Sequence, residues 1–153
     1  MDSKLLYEED GQRVFAVVLA AGEEVLACLG DFVRRHRIGA AQLTAVGAFS
    51  DVVLKYFDWQ GKQYRHIPVD EQVEVASLIG DVALDPEANP VLHIHVVVGR
   101  RDGSAMAGHL GQAHVRPTLE IIINESPAYL QKSVDAATGL PLIHPSAPIA
   151  WPH

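Results

Sequence analysis

The chain has 153 residues, of which 48% are hydrophobic and 20% charged, and its formal net charge at pH 7 is −7. This length supports one hydrophobic core, and no internal repeat or low-complexity block divides it, so we expect a single domain over residues 1–153. The negative charge argues against direct nucleic-acid binding, which depends on neutralising phosphates. The apolar composition favours an oligomer, in which a subunit interface covers the hydrophobic surface that one chain cannot bury.

The start of the chain, MDSKLLYEEDGQR, is acidic and lacks the basic region and apolar run of a signal peptide. No window long enough to span a bilayer is free of charge. We therefore expect a cytoplasmic protein without a membrane partner. The single cysteine, Cys28, falls on the apolar side of a predicted helix, where we interpret it as a buried structural thiol.

The first elements are a strand over residues 13–19 and a helix over residues 23–37. The helix shows apolar residues at helical spacing, acids in its first turn, arginines in its last turn and Gly39 just beyond. Turn signals at Ser50-Asp51, Gln60-Gly61 and Val69-Asp70 separate the strands that follow. Those strands are predicted at residues 41–49, 52–59, 63–69, 73–84, 91–98, 105–110 and 115–124.

These elements define a fold class. Successive strands joined by short turns favour a largely antiparallel or mixed sheet, because parallel neighbours need a crossover after each strand. We therefore predict an α/β (α+β) fold, a compact single domain whose sheet is flanked by few helices. The proline-interrupted tail, about residues 140–153, is expected to lie on the surface or against a neighbouring subunit.

The strand over residues 91–98, VLHIHVVV, is apolar except for two histidines. Because side chains alternate between the faces of a strand, His93 and His95 share a face. Their Cβ atoms lie roughly 6.5 to 7 Å apart, and two imidazoles can close that span to bind one ion at about 2.0 to 2.1 Å.

A third histidine, His109, joins this pair only in one strand register. A two-residue Asp102-Gly103 turn would place Val96 opposite His109 and send the imidazole to the other face. A three-residue loop ending in a left-handed Gly103 makes His95 and His109 cross-strand partners. Glycine in the third position favours the longer loop, so we predict a site of three imidazoles. His114 replaces His109 if the register differs.

Three imidazoles without sulfur suit zinc first, then another divalent transition metal such as nickel, cobalt or iron. The fourth coordination position stays open, and it can activate water or hold a small anionic ligand. The alternative is a set of core histidines with one hydrogen bond each. Burying several polar rings without partners costs on the order of 1 to 3 kcal/mol each, which favours the metal site.

The histidine hairpin carries a resemblance to a known family. H-x-H at 93–95, a short D-G turn, G-H-L at 108–110 and the strand over 118–123 resemble the plants-and-prokaryotes-conserved (PPC) domain, in a prokaryotic stand-alone member. Weaker matches are GEEV at 22–25, LTAVGA at 43–48, EVASLIGDVAL at 74–84 and TGL at 138–140. The resemblance implies a compact α/β domain that assembles as a homotrimer, with His93, His95 and His109 as metal ligands.

The chain departs from this family in two respects. Ala107 stands where the family usually has a second glycine before G-H-L. Plant members reach DNA through a separate basic hook of Arg-Gly-Pro type, and this sequence has no such hook. A DNA-binding or transcription-associated role is therefore the least favoured of three alternatives.

Glu120 is the candidate catalytic residue. It interrupts the apolar run TLEIII, where a buried carboxylate needs a partner. It could hydrogen-bond a ligating imidazole or accept a proton beside a metal-bound water. A salt bridge to Arg116 or Arg100, or an exposed edge position, is the structural alternative. The favoured function is a metal-binding trimeric domain, the second is a metal-dependent hydrolase or lyase, and the sequence leaves open whether the protein is an enzyme.

Overall fold

The computed structural model describes residues 1–146, which form nine strands and one helix. The elements are β1 (Asp2–Glu9), β2 (Gln12–Ala20), α1 (Val25–Arg35), β3 (Ala40–Asp58), β4 (Gln63–Val69), β5 (Val73–Leu84), β6 (Pro90–Gly99), β7 (Ala105–Glu125), β8 (Lys132–Val134) and β9 (Pro141–Ile143). Residues 147–153, the end of the predicted tail, lie outside the described residues.

One antiparallel sheet of seven strands, in the order β1-β2-β7-β6-β5-β3-β4, dominates the fold. An additional pairing of β7 with β3 closes a circuit of four strands, β3, β5, β6 and β7. The predicted antiparallel sheet with few helices is therefore confirmed. The helix and the inner face of the sheet enclose one hydrophobic core, and each large side chain buried there contributes about 1.5 to 3 kcal/mol.

The helix packs its apolar side against β6 and β7. It is shorter than predicted, because both acids precede it instead of lying in its first turn. Glu24 is the N-cap, and its carboxylate accepts a hydrogen bond from the backbone N–H of Ala27 at 2.6 Å. The predicted arginines, Arg34 and Arg35, do occupy the last turn. Cys28 is only partly buried, and that burial raises the pKa of its thiol.

Two predicted breaks between strands are absent, one at residues 50–51 and one at residues 111–114. β3 and β7 each run through the break as one long strand. The turn predicted at Ser50-Asp51 is wrong. Asp51 pairs across the sheet with His114, and its Oδ1 lies 2.8 Å from the Nδ1 of that ring. Register irregularities around Gly47 and Asp51 bend β3 without ending it. The turn signals at Gln60-Gly61 and Val69-Asp70 do separate strands.

The N-terminal strand extends this sheet, whereas the C-terminal strands form a separate sheet of two strands. The strand β1 was not predicted, because all its residues are exposed and its sequence lacks the alternation of a half-buried strand. Residues 126–134, which we call the C-terminal strap, lie across the edge of the core, where the N–H of Leu84 donates to the carbonyl of Leu130 at 2.7 Å. The strand β9 then pairs with β8. Among the described residues, none of the helical segments has the length and apolarity needed to cross a membrane.

Candidate metal centre

The hairpin between β6 and β7 has the predicted loop. The N–H of Arg100 donates to the carbonyl of Ser104 at 2.8 Å, and the N–H of Gly103 donates to the carbonyl of Arg100 at 2.9 Å. These two bonds leave residues 101–103 as a three-residue loop, and Gly103 adopts a φ of 83°. This is the bulged hairpin that glycine in the third position predicted.

The register of this hairpin brings the three imidazoles to one face. His95 and His109 are cross-strand partners, and Val96 lies opposite Gly108. Because Ile94 and Val96 point into the core, the histidines of β6 point away from it, onto the outer face of the sheet. The ring centroids of His93, His95 and His109 lie 5.0 to 5.5 Å from one another.

The nitrogen atoms of this cluster nearly match the spacing of a tetrahedral metal site. Nε2 of His93 and Nε2 of His95 are 3.2 Å apart. Two ligands at zinc–nitrogen distances of about 2.05 Å lie about 3.3 Å apart in tetrahedral geometry. One ligand atom from each histidine lies within 4.8 Å of the others, so the widest pair has to close by at most about 1.5 Å.

The third imidazole has the electronic state that a ligand needs. Burial, followed by the charges of His93 and His95, lowers the pKa of His109 to about 4. Its ring is therefore neutral at neutral pH, with a lone pair free for a cation. Its Nδ1 is buried and has no hydrogen-bond partner within residues 1–146. A buried polar atom without a partner, beside two other imidazoles, fits a ligand set better than three structural core histidines.

A carboxylate that the sequence analysis missed lies beside the cluster. Asp81 is the cross-strand partner of His93, and its Oδ2 lies 3.3 Å from the Nδ1 of that ring. Its Oδ1 lies 3.0 Å from Nζ of Lys132. Burial alone raises the pKa of Asp81, but the His93 ring and the Lys132 ammonium outweigh it and bring the pKa below its ordinary value. The sequence did contain a signal for this carboxylate, because Asp81 is an acid within the apolar run EVASLIGDVAL. It lies on the face of β5 opposite the core.

A cation and an aromatic ring lie on the other side of the cluster. Lys55 is the cross-strand partner of His109. The ring of Tyr64 lies 5.1 Å from the His109 ring, and Nζ of Lys55 lies 6.0 Å from the centroid of Tyr64. The imidazole cluster is therefore flanked by Asp81 at one end and by Lys55 at the other.

Glu120 does not join the cluster in this chain. It is exposed on the outer face, where it pairs with Val18 and Val46. It lies eleven residues beyond His109 along β7, and at about 3.3 Å per residue this is far outside hydrogen-bonding reach. The expectation of a buried carboxylate in TLEIII is therefore corrected to an exposed position. His114, the alternative third ligand, pairs with Asp51 instead.

The fold and this site can be compared with known proteins. The family model of the Plants and Prokaryotes Conserved (PCC) domain matches residues 7–127. The chain therefore belongs to this family, as the histidine hairpin predicted. None of the curated proteins matches the sequence significantly.

Several solved structures are similar over most of their length. A metal-containing protein from Archaeoglobus fulgidus is 31% identical, with a TM-score of 0.79 over 86% of this chain and 92% of that one. A plant- and prokaryote-conserved protein from Pyrococcus horikoshii is 27% identical, with a TM-score of 0.80 over 94% of each chain. A protein from Ralstonia eutropha, provisionally described as DNA-binding, is 26% identical, with a TM-score of 0.79 over 85% of this chain and 90% of that one.

Proposed function

We propose that the protein is a metal-binding domain in which His93, His95 and His109 hold one divalent transition metal ion, with zinc as the first choice. The observation that carries this proposal is the convergence of three imidazoles on one face, with two Nε2 atoms 3.2 Å apart. Imidazole nitrogen without thiolate suits zinc, and the same donors also accept nickel, cobalt or iron. The metal-containing protein from Archaeoglobus fulgidus gives the proposal further support.

The ion would keep one coordination position open, because the chain supplies three ligands. We propose that this position takes a small anionic ligand. Lys55 supports the proposal, because it is the cross-strand partner of His109 and its ammonium forms no ion pair with an acid anywhere in residues 1–146. A cation on the strand beside the histidine cluster favours a carboxylate or phosphate over a neutral ligand.

We further propose that three copies assemble through the outer face of the sheet. Apolar side chains continue from the histidines across this face, each between 37% and 57% exposed: Val18, Val46, Ile79, Val97 and Ile122. A continuous apolar surface on a folded chain favours a partner, and the trimer implied by the family resemblance supplies it. Sedimentation equilibrium is expected to give three times the mass of one chain. Ile79→Glu should dissociate the assembly, and a wild-type monomer would contradict the proposal.

Metal analysis tests the central proposal. Protein purified without an affinity tag is expected to carry about one zinc ion or related metal ion per chain. The variant His93→Ala/His95→Ala should lose it, while His114→Ala, a histidine outside the cluster, should retain it. Equally low metal content in wild type and in the double variant would contradict the proposal.

A metal-dependent hydrolase or lyase is the second candidate, favoured by the open coordination position. The base predicted for this chemistry, Glu120, lies away from the imidazoles in the same chain. Asp81 is the carboxylate that contacts the cluster, and it is engaged by Lys132. A screen with ester and phosphoester substrates separates the candidates. Turnover that disappears in His93→Ala/His95→Ala would establish the enzyme.

Direct DNA binding is the least favoured function, although one structural neighbour is provisionally described as DNA-binding. The net charge is −7. The sequence has two short basic clusters, at residues 34–37 and 100–101. Both are partly neutralised, since Arg34 pairs with Asp31 and Arg100 pairs with Glu71. Tight binding to duplex DNA at physiological salt would overturn this argument. The cytoplasmic location expected from the sequence stays a prediction.

A further inference from the structure

The C-terminal strap delivers a buried cation to the edge of the histidine cluster. Lys132 is 2% exposed, and its Nζ lies 3.0 Å from Oδ1 of Asp81, an ion pair that does not have the angles of a hydrogen bond. A buried ammonium is costly without a partner, so this ion pair is a specific arrangement and not a surface contact. Lys132 lies beyond residues 7–127, the part of the chain that the family model matches.

The same carboxylate also faces a proposed metal ligand. While Oδ1 of Asp81 faces Lys132, its Oδ2 faces Nδ1 of His93 at 3.3 Å. The opposite nitrogen of that ring, Nε2, faces the Nε2 of His95. A carboxylate 3.3 Å from Nδ1 favours the tautomer with its proton on Nδ1, which leaves the Nε2 lone pair free on the side of His95.

We infer that Lys132 is a positioning residue for the metal site: its ammonium fixes Asp81, and Asp81 orients His93 and sets its tautomer. This inference rests on the proposed metal-binding function and assigns a role to the C-terminal strap. Outer carboxylates of this kind typically change metal affinity by 10- to 100-fold when they are lost.

The strap is held by contacts that are independent of the metal site. The N–H of Ser126 donates to the carbonyl of Ala40 at 2.9 Å, and the strap also accepts the N–H of Leu84. Gly39 leaves room for the Tyr129 ring, because a Cβ at position 39 would lie 2.3 Å from Cδ1 of that ring. Gly39→Ala should therefore displace the strap, and Lys132 with it, without changing any group at the site.

The experiment measures zinc affinity of the full chain by competition with a chromophoric chelator, and the absorption spectrum of the cobalt-loaded protein. Lys132→Met and Asp81→Asn should each weaken zinc binding about 10- to 100-fold. The double variant should be no weaker than Asp81→Asn alone, because both changes act through one carboxylate. Lys132→Arg should recover part of the affinity, and Gly39→Ala should weaken binding in the same direction. Lys4→Met, an exposed lysine on β1, is the matched control and should bind as wild type does.

The direction in which Lys132→Met changes zinc affinity distinguishes a positioning role of Lys132 from a purely electrostatic one. Loss of a nearby cation by itself favours binding of a dication, so a purely electrostatic role predicts tighter zinc binding by Lys132→Met. Unchanged or tighter binding by Lys132→Met, or additive losses in the double variant, would overturn the inference while leaving the metal site intact. If Lys132→Met does not fold, wild-type affinity in Gly39→Ala overturns it instead. A wild-type protein that binds no zinc would remove the proposed function itself.

Discussion

Replacing His109 with leucine is predicted to have opposite effects on the metal-free and the zinc-loaded protein. In the metal-free chain, the buried Nδ1 of His109 has no hydrogen-bond partner within the described residues. A buried polar atom of this kind costs about 1 to 3 kcal/mol, and leucine fills a similar volume without a polar atom. The free energy of unfolding of metal-free His109→Leu should therefore exceed that of wild type by about 1 to 3 kcal/mol.

Zinc should reverse this order. An ion that binds only the folded state stabilises it by about 4.1 kcal/mol at a free concentration of about 1,000 Kd, which exceeds the gain expected from leucine. For a chain of this length, 1 kcal/mol corresponds to roughly 2 to 4 °C in Tm, so zinc at this concentration should raise the wild-type Tm by about 8 to 16 °C. The variant lacks one of the three proposed ligands and should show almost no rise.

Urea unfolding with a chelator present compares the stability of the metal-free proteins. Thermal unfolding with and without zinc compares how much zinc raises the Tm of each protein. His114→Leu is the matched control. It removes a surface contact with Asp51 that is worth about 0 to 1 kcal/mol, and it should keep the full response to zinc. The reasoning is refuted if metal-free His109→Leu is less stable than wild type, or if zinc raises the Tm of both proteins equally.

Three further predictions concern stability. Burial lowers the pKa of His109 from 6.5 to about 4, so between these two pH values the unfolded chain binds a proton more readily than the folded chain does. The free energy of unfolding of the wild type should therefore fall as the pH drops below about 6.5. Urea titrations at several pH values should show that His109→Leu lacks this decrease. Gly47→Ala places a Cβ 2.2 Å from the carbonyl oxygen of Thr118, at a φ of +153°. Urea unfolding should therefore show a loss of about 2 kcal/mol or more in the free energy of unfolding. A loss below about 0.5 kcal/mol would contradict this packing. Arg13→Met removes the guanidinium that pairs with the carboxylate of Glu125, which is 7% exposed, and should lower the free energy of unfolding by about 3 to 5 kcal/mol. Adding Glu125→Gln to this variant should recover part of the loss. Equal stability of the wild type and both variants would contradict the role of this ion pair.

The site was predictable from the sequence where local chemistry decides the geometry. Alternation along one strand put His93 and His95 on the same face, and glycine at position 103 selected the loop that sets the register of His109. Both features depend on residues that are neighbours in sequence, and the structure confirms both. The helix was also predictable, since its apolar spacing and its terminal arginines are local signals.

The remaining features depend on contacts between distant segments. Asp51 and His114 are 63 residues apart, and they meet where β3 and β7 pair and stay continuous although polar residues predicted turns. Asp81 becomes a neighbour of His93 through strand pairing, and Lys132 reaches it from a strap whose sequence carries no regular pattern. Glu120 was singled out because TLEIII suggested a fully buried strand, whereas one face of β7 is exposed there.

Zinc K-edge X-ray absorption of the loaded protein examines the proposed three-histidine site itself, because it counts the ligand atoms around the ion. We expect three imidazole nitrogens at about 2.0 to 2.1 Å and one further light atom, with one imidazole fewer in His109→Leu. A shell without multiple imidazoles, or the same shell in wild type and His109→Leu, would contradict a site built from His93, His95 and His109.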